Sequence, residues 1–390
     1  HEQGQTDQTA DNILRTLGNL DIQSTEPQPT ATTTPPTTKP ASKTPLVAAT
    51  LVIALAVIAF LLFKGGRAKE TPTKPSAIKT YKSTTDLCIV TVYNTVKELE
   101  VSVENRELRE ELDAKLSRFK DYKVDKGKAV SPDATTQELL DIAKTLDAEF
   151  ILIATIESDK KRINVKLHNV EDGRNFWSKT LRESDVKSSE DFIDEATGLI
   201  AARIAGHDGA IHRDILKKAL VKKEEDMTPM ELLQMGKALW EESTSENMVK
   251  AIDYLNKCVQ LNPDISTAYA ILSEVYLEDI RGDFNKIPDA MKKAKDSINR
   301  AMDLNPSNAI AIIEQIWISW FEKDFTNCKL QIKEALKANP FEPLVLVSAG
   351  SFYVVTGEDL EKGKKYLDLA LRYNETPQAW YFWAYINYYM

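Results

Sequence analysis

Three short stretches recur near the C-terminal end of the sequence: Leu-Asn-Pro-Asp at 261–264, Leu-Asn-Pro-Ser at 304–307 and Ala-Asn-Pro-Phe at 338–341. Counting back from each proline, a small residue stands five and twelve positions earlier: Cys258 and Ala251, Ala301 and Ala294, Ala335 and Cys328. A larger apolar residue stands eight positions earlier, at Leu255, Ile298 and Ile332. Seven residues are about two helical turns, so the small pair and the larger residue share one helix face. Small residues let a second helix approach closely, the larger one fills the groove, and the proline stops the helix. Pro306 and Pro340 are 34 residues apart. Pro263 and Pro306 are 43 apart, which places nine extra residues in a loop near Asp279 to Pro288. A fourth copy shows Gly363, Leu367 and Ala370, slightly out of step. A stacked series of helix pairs is the architecture that such a period dictates.

Upstream the composition changes. Leu46 to Phe63 is an eighteen-residue apolar run without a charge. As a helix it would span roughly 27 Å, near the thickness of a bilayer core, with no solvent-facing side. It reads as a single transmembrane helix, opened by Pro45 and closed by Lys64-Gly65-Gly66-Arg67. Residues 21–45 are rich in Pro and Thr and read as a disordered linker. Residues 64–85 form a second linker. Residues 1–20 read as the tail of an upstream cytoplasmic domain, with Ile13, Leu14, Leu17 and Leu20 on one helix face. The sequence starts at His1 and ends in an aromatic helical run at Met390, and it reads as part of something longer.

Orientation is contested. Two positive charges precede the apolar run, Lys39 and Lys43, and six follow it within twenty residues. That count places the C-terminal side inside the cell. The family resemblances described next imply the opposite, an inner-membrane, single-pass protein with its C-terminal domains outside the cytoplasm.

Residues 86–205 read as a small α/β domain. Leu87 to Val92 and Phe150 to Ile156 are buried strand runs, and Tyr122-Lys123-Val124 is a short strand. Helices are expected over Glu104 to Phe119, Thr135 to Leu146 and Ser189 to Ala205. Arg162 to Leu167 alternates, with Ile163, Val165 and Leu167 on one face, and Phe176 to Leu181 follows after the Asp172-Gly173 turn. The run Ile142, Ala143, Leu146, Ala148, Phe150, Ile151, Leu152, with Asp172, Gly173 and Trp177 after it, resembles the TolB amino-terminal-like domain. That family has a Pro-Phe pair where Val92-Tyr93 stands here, so the loop after the first strand departs from it. Residues 206–227 read as a helical linker.

The period over 228–390 is similar to the tetratricopeptide repeat, with about four units and a partial fifth. The resemblance implies a solenoid whose first helices line a concave, partner-binding face. In that register Trp317, Trp320, Phe321, Tyr381, Tyr385 and Tyr388 point into the groove, an aromatic lining suited to a protein or peptide partner.

The formal net charge of −9 and the lack of any basic, aromatic-interleaved patch exclude a general nucleic-acid binder. The three cysteines, Cys88, Cys258 and Cys328, are too widely spaced for a metal or disulfide framework and read as small apolar residues. No catalytic, cofactor or metal motif is present: neither a phosphate-binding loop nor a zinc-protease nor a nucleophile-elbow pattern occurs. His212-Arg213-Asp214 spells the kinase catalytic triplet, but Ala219 stands where its asparagine belongs, and no Gly-rich loop accompanies it. The 390 residues therefore read as non-enzymatic. The order of parts resembles the C-terminal half of bacterial receptor serine/threonine kinases, of some adenylate cyclases and of membrane-bound winged-helix regulators, and Thr9 to Leu20 resembles the last helix of such kinases. That resemblance implies a sensory, protein-interaction region. A stand-alone tethered scaffold for envelope assembly is the alternative.

Overall fold

The computed structural model describes residues 81–92, 103–131, 133–157, 161–186, 192–242 and 244–389. Strand β1 (Thr85–Val92) is the middle of a parallel trio, paired with β2 (Tyr122–Val130) on one side and β3 (Phe150–Glu157) on the other. Strands β4 (Arg162–Asn169) and β5 (Asn175–Arg182) continue the sheet as an antiparallel meander, giving the order β2-β1-β3-β4-β5. Helix α1 (Val103–Leu116) connects β1 to β2, and α2 (Thr136–Thr145) connects β2 back past β1 to β3. The two right-handed crossovers run in opposite directions, so the helices cover opposite faces.

Helix α2 starts on a capping box. Glu138 N–H donates to Thr135 Oγ1 at 3.3 Å, and Thr135 N–H donates to Glu138 Oε2 at 2.7 Å. Its apolar side, Leu139, Leu140 and Ala143, buries Cys88, Val90, Ile151 and Ile153. Beyond the reach of α2, the same face of β4 and β5 is polar. There Arg162 and Asn164 bind Glu157, and Thr180 binds Asn164 at 2.7 Å. Antiparallel strands tolerate that one-sided wetting.

Helix α3 (Phe192–Ala205) packs on α1 and is buried along most of its length after the first turn, with Ala196, Ile200, Ala201 and Ile204 at 0 % exposure. A helix without a polar face needs cover on every side. The sheet and α1 cover one side, and the helical repeats cover the other. Gly198 lacks the Cβ that would come within 3.2 Å of Phe341.

After α4 (Ala210–Ala219) come four helix pairs. They are α5 (Pro229–Glu241) with α6 (Ser245–Leu261), α7 (Ser266–Arg281) with α8 (Ala290–Leu304), α9 (Ala309–Phe321) with α10 (Phe325–Ala338), and α11 (Pro343–Thr356) with α12 (Leu360–Tyr373). A 3-10 turn, Ala379–Phe382, runs into α13 (Trp383–Tyr389). The second helix of each pair buries a single stripe, for example Ala294, Ile298 and Ala301, which are the residues of the repeat pattern. That stripe meets small residues on the first helix: a Cβ on Gly236 or Gly350 would lie 2.7 Å from Leu255 or Leu367.

Each second helix ends in the same turn. Asn262, Asn305 and Asn339 accept through Oδ1 from the N–H two residues on, each at 3.1 Å. Asn374 does the same with Thr376 at 2.9 Å, without a proline. Counted from the asparagine, the fourth copy is in register, because Ala370, Leu367 and Gly363 stand where Ala335, Ile332 and Cys328 stand before Asn339. The insertion between α7 and α8 is stapled by buried Asp279, which accepts from the N–H groups of Lys286 at 2.9 Å and Ile287 at 3.1 Å.

One expectation is corrected. The apolar run 46–63 lies outside the described residues, and among the described residues no helix is long and apolar enough to cross a membrane. The longest, α6, is 17 residues with one buried stripe, and the most apolar, α9 and α11, are 13 and 14 residues whose apolar sides are buried inside the protein. The fold class is accordingly a mostly helical chain, an α/β sheet unit packed on a repeat solenoid. A transmembrane helix and a single-pass inner-membrane location are not supported.

Candidate functional site

The two ends of the first helices of the pairs do different things. Their N-terminal turns grip the α/β unit. Thr267 Oγ1, at the start of α7, donates to Asp121. Asn308, the N-cap of α9, donates to Thr267 at 2.9 Å. Glu342, the N-cap of α11, accepts the His207 N–H at 3.2 Å. Arg118 donates to the carbonyl of Lys337 at 3.1 Å, at the C-terminal end of α10. A cavity of about 30 Å³ lies among these groups.

Lys237 on α5 is the centre of this junction. Its ammonium donates to the His207 carbonyl, and it sits 3.1 Å from Asp208 and 3.5 Å from Glu241. Burial opposes the charge, but the two carboxylates outweigh it and hold the lysine above its ordinary value. Burial would likewise raise Asp208, yet Lys237 and the Asn374 amide at 2.9 Å bring it down to about 2. Burial raises Glu342 to about 8, and burial and Lys237 keep His207 neutral. Among the described residues, His207, Asp208 and Glu241 place donor atoms within 4.8 Å of one another, a set with metal-ligand chemistry. The Lys237 ammonium already supplies the cation there, and a second cation would be repelled.

The His212-Arg213-Asp214 triplet belongs to the same junction. His212 Nδ1 lies 3.0 Å from the His207 carbonyl, Arg213 donates to Thr376 at 3.2 Å, and Asp214 pairs with Arg174 at 2.6 Å. All three tie elements together.

The C-terminal turns of the same helices open a cleft of about 80 Å³. Trp317 and Trp320 of α9, Phe352 and Val355 of α11, and Trp383 of α13 form its walls, with Ser348 and Ser351 as polar points. Trp320 is held edge-on by Phe325 at 5.2 Å and Phe352 at 6.3 Å between centroids. Trp317 lies under the Arg281 guanidinium, 5.1 Å from the ring centroid. Trp383 is 52 % exposed and Val355 40 %, so the cleft is reachable.

Of the six aromatic residues assigned to a groove by register, Trp317 and Trp320 come together in this cleft. Phe321 ends α9, half-buried, outside the cleft walls. Tyr381 is 1 % exposed and sits by the junction, where burial and the Asp208 and Glu342 carboxylates raise its phenol. Tyr385 and Tyr388 turn onto α12, donating to Asp368 and, at 2.8 Å, to Glu361. Phe352, Val355 and Trp383 are the wall residues that register reasoning did not reach. The 3-10 turn at Ala379–Phe382 delays the start of α13 and rotates Trp383, not Tyr381, toward the cleft.

The helix pairs, the small-residue stripe and the asparagine turn define a tetratricopeptide-like scaffold, a class that generally binds protein partners. No family profile and no curated protein matches the chain. Among solved structures, MamA is similar over 43 % of this chain and 87 % of its own, at 22 % identity and TM-score 0.27. A thermophilic tetratricopeptide protein of Thermus thermophilus is similar over 50 % of this chain and 90 % of its own, at 15 % identity and TM-score 0.34. The PelC dodecamer of Paraburkholderia phytofirmans is similar over 32 % and 92 %, at 12 % identity and TM-score 0.22. The repeat assignment rests on the chain's own helix pairs.

Proposed function

We propose that this chain is a docking scaffold that takes a protein partner through the cleft between α9 and α11. The partner's anchor is one large aliphatic or aromatic side chain seated between Trp317, Trp320 and Phe352. The observation that carries this reading is the open apolar cleft itself, with half-exposed Trp383 at its mouth. Desolvating an aromatic anchor in such a pocket is the usual source of binding energy at protein interfaces. Selection of a displayed random-peptide library on the full chain tests it. Peptides with a shared aromatic or aliphatic anchor should be enriched and lost from the Trp317→Ala/Trp320→Ala variant with its far-UV circular dichroism unchanged. Retention of the same peptides by that variant would sink the cleft as the docking site.

The finer reading is the sensing half of a bacterial signalling protein, with a serine/threonine kinase as its acting domain. Its support is the order of an α/β sheet unit resembling the TolB amino-terminal-like domain followed by tetratricopeptide-like repeats, together with the Thr9 to Leu20 resemblance. The mass and N-terminal sequence of the native polypeptide test it: a kinase Gly-rich loop and Asp-Phe-Gly upstream support it, and their absence overturns it.

A further inference from the structure

The cleft has a buried charged group behind it that docking alone does not explain. Helix α7 turns Glu274, Glu278 and Arg281 toward α9, at positions i, i+4 and i+7 of one face. Helix α9 answers with Glu314 and Trp317, one turn apart. Arg281 donates through Nη2 to Glu274 and, at 2.6 Å, to Glu278, and through Nε to Glu278 at 2.9 Å. The same guanidinium lies over the Trp317 ring, its Cζ 5.1 Å from the centroid. A planar guanidinium can hydrogen-bond at its edge while stacking by its face, which an ammonium cannot do.

The charges do not balance if every acid is ionised. Three carboxylates would then meet one arginine. Glu274 is 7 % exposed and Glu314 2 % exposed. The Oε2 atom of each is buried without a donor when both are ionised. A proton on Glu314 supplies that donor and removes one charge, because the two carboxyls are within hydrogen-bonding reach of each other. Burial, first, and then the Glu274 carboxylate hold Glu314 well above the usual carboxylate range. Among the described residues, the charged groups that act on Glu314 are Glu274, Glu278 and Arg281, all from α7.

We propose that Glu314, Glu274 and Arg281 are positioning residues for Trp317: one proton held between the two carboxyls keeps the guanidinium on the indole and so fixes one wall of the cleft. With that proton in place, Arg281 answers to Glu274 and Glu278 and stacks on Trp317. When Glu314 loses it, a third carboxylate competes for the guanidinium and draws it off the ring. The cleft wall is thereby tied to a single protonation. The inference rests on reading the cleft as the docking site only for its consequence; the coupling itself is measurable without a partner.

The experiment is ¹⁹F NMR of the full chain labelled with 5-fluorotryptophan, from pH 5 to pH 10. The six tryptophans give six signals, and Trp317→Phe assigns one. The Trp317 signal should move through one titration above the ordinary glutamate range. In Glu314→Gln it should hold one position across the whole range. In Arg281→Lys, which keeps the charge and loses the plane, it should shift and stop titrating. A wild-type Trp317 signal that does not move with pH would overturn the coupling. So would one that still titrates in Glu314→Gln or, should that variant not fold, in Arg281→Lys. The peptide-selection result can fail while this one stands, and the reverse holds too, so the two readings are separable.

Discussion

The two ends of the first helices of the pairs present opposite chemistries on one scaffold. At their N-terminal turns Thr267 donates to Asp121 of the α/β unit, Asn308 holds Thr267, and Glu342 takes the His207 N–H, around a buried ammonium and its carboxylates. At their C-terminal turns Trp317, Trp320, Phe352 and Val355 line an apolar cleft with Trp383 at its edge, backed by Arg281 and Phe325. A solenoid groove that elsewhere would be open along its length is here divided. The protein's own α/β unit fills the polar half, and the apolar half is left free. The polar half is therefore a stability element and the apolar half a recognition element, and substitutions should separate them.

The largest effect belongs to Lys237→Met. Methionine matches the lysine stem and lacks only the ammonium, so packing of the stem is conserved while Asp208 and Glu241 lose their cation inside the protein. Leaving a buried carboxylate unpaired costs about 3–5 kcal/mol, which a urea titration followed by circular dichroism would resolve. A loss under about 1 kcal/mol, the size expected of an exposed ion pair, would mean that water reaches the junction and that the two halves differ less than their contacts suggest. Peptide selection at the cleft should be unaffected wherever the variant is folded.

The contrast was only partly legible in the sequence, and the reason is physical. Helix pairs announce themselves locally. Ala294, Ile298 and Ala301 fall on one helix face, and their spacing recurs because each second helix solves the same packing problem. The central strands were legible for the same local reason, since β1 and β3 are buried on both faces and read as apolar runs. Strand β2 was not. Past Val124 it continues as Asp-Lys-Gly-Lys-Ala-Val at the sheet edge, where lysines are tolerated and no apolar pattern is required. The junction was illegible altogether: Lys237 bonds to Asp208, and Asp208 to Asn374, across 29 and 166 residues. No spacing rule links groups that meet only after the solenoid has curled onto the sheet unit. In the cleft, Trp317 and Trp320 were readable from helix phase. Trp383 was not, because a 3-10 turn changes that phase.

A smaller effect, in pH, sharpens the same division. Burial raises the Glu342 carboxyl to about 8 in the folded protein, against an ordinary value of 4.5. Between these values the folded chain holds a proton that the unfolded chain has released, so this residue's contribution to stability falls as pH rises from about 4.5 to about 8. His207 acts at the other end. Burial and the neighbouring Lys237 keep it neutral when folded, so its contribution is present above the unfolded value of 6.5 and is lost as pH drops below it. Glu342→Gln should therefore gain on the wild type in urea midpoint steadily from pH 5 to pH 8. A constant difference across that range would show that Glu342 is already ionised in the fold and that its N–H donors, His207 and Leu344, outweigh its burial.

The smallest effect on stability, and the one that most cleanly parts the halves, is expected from Trp383→Ala. Removing a buried tryptophan from a core costs about 3–5 kcal/mol. Trp383 is half exposed, and its ring borders the cleft more than it fills a core. Its removal should shift the folding free energy by no more than about 0.5 kcal/mol, the range of surface substitutions. It should still weaken an anchored peptide, because the mouth of the pocket then lies open to water and the anchor is less completely desolvated. Lys237→Met gives the reverse pattern, a large loss of stability without loss of binding. If Trp383→Ala instead destabilised the chain as much as a core tryptophan would, α13 would be part of the structural half. The free surface would then shrink to Trp317, Trp320 and the face of α11.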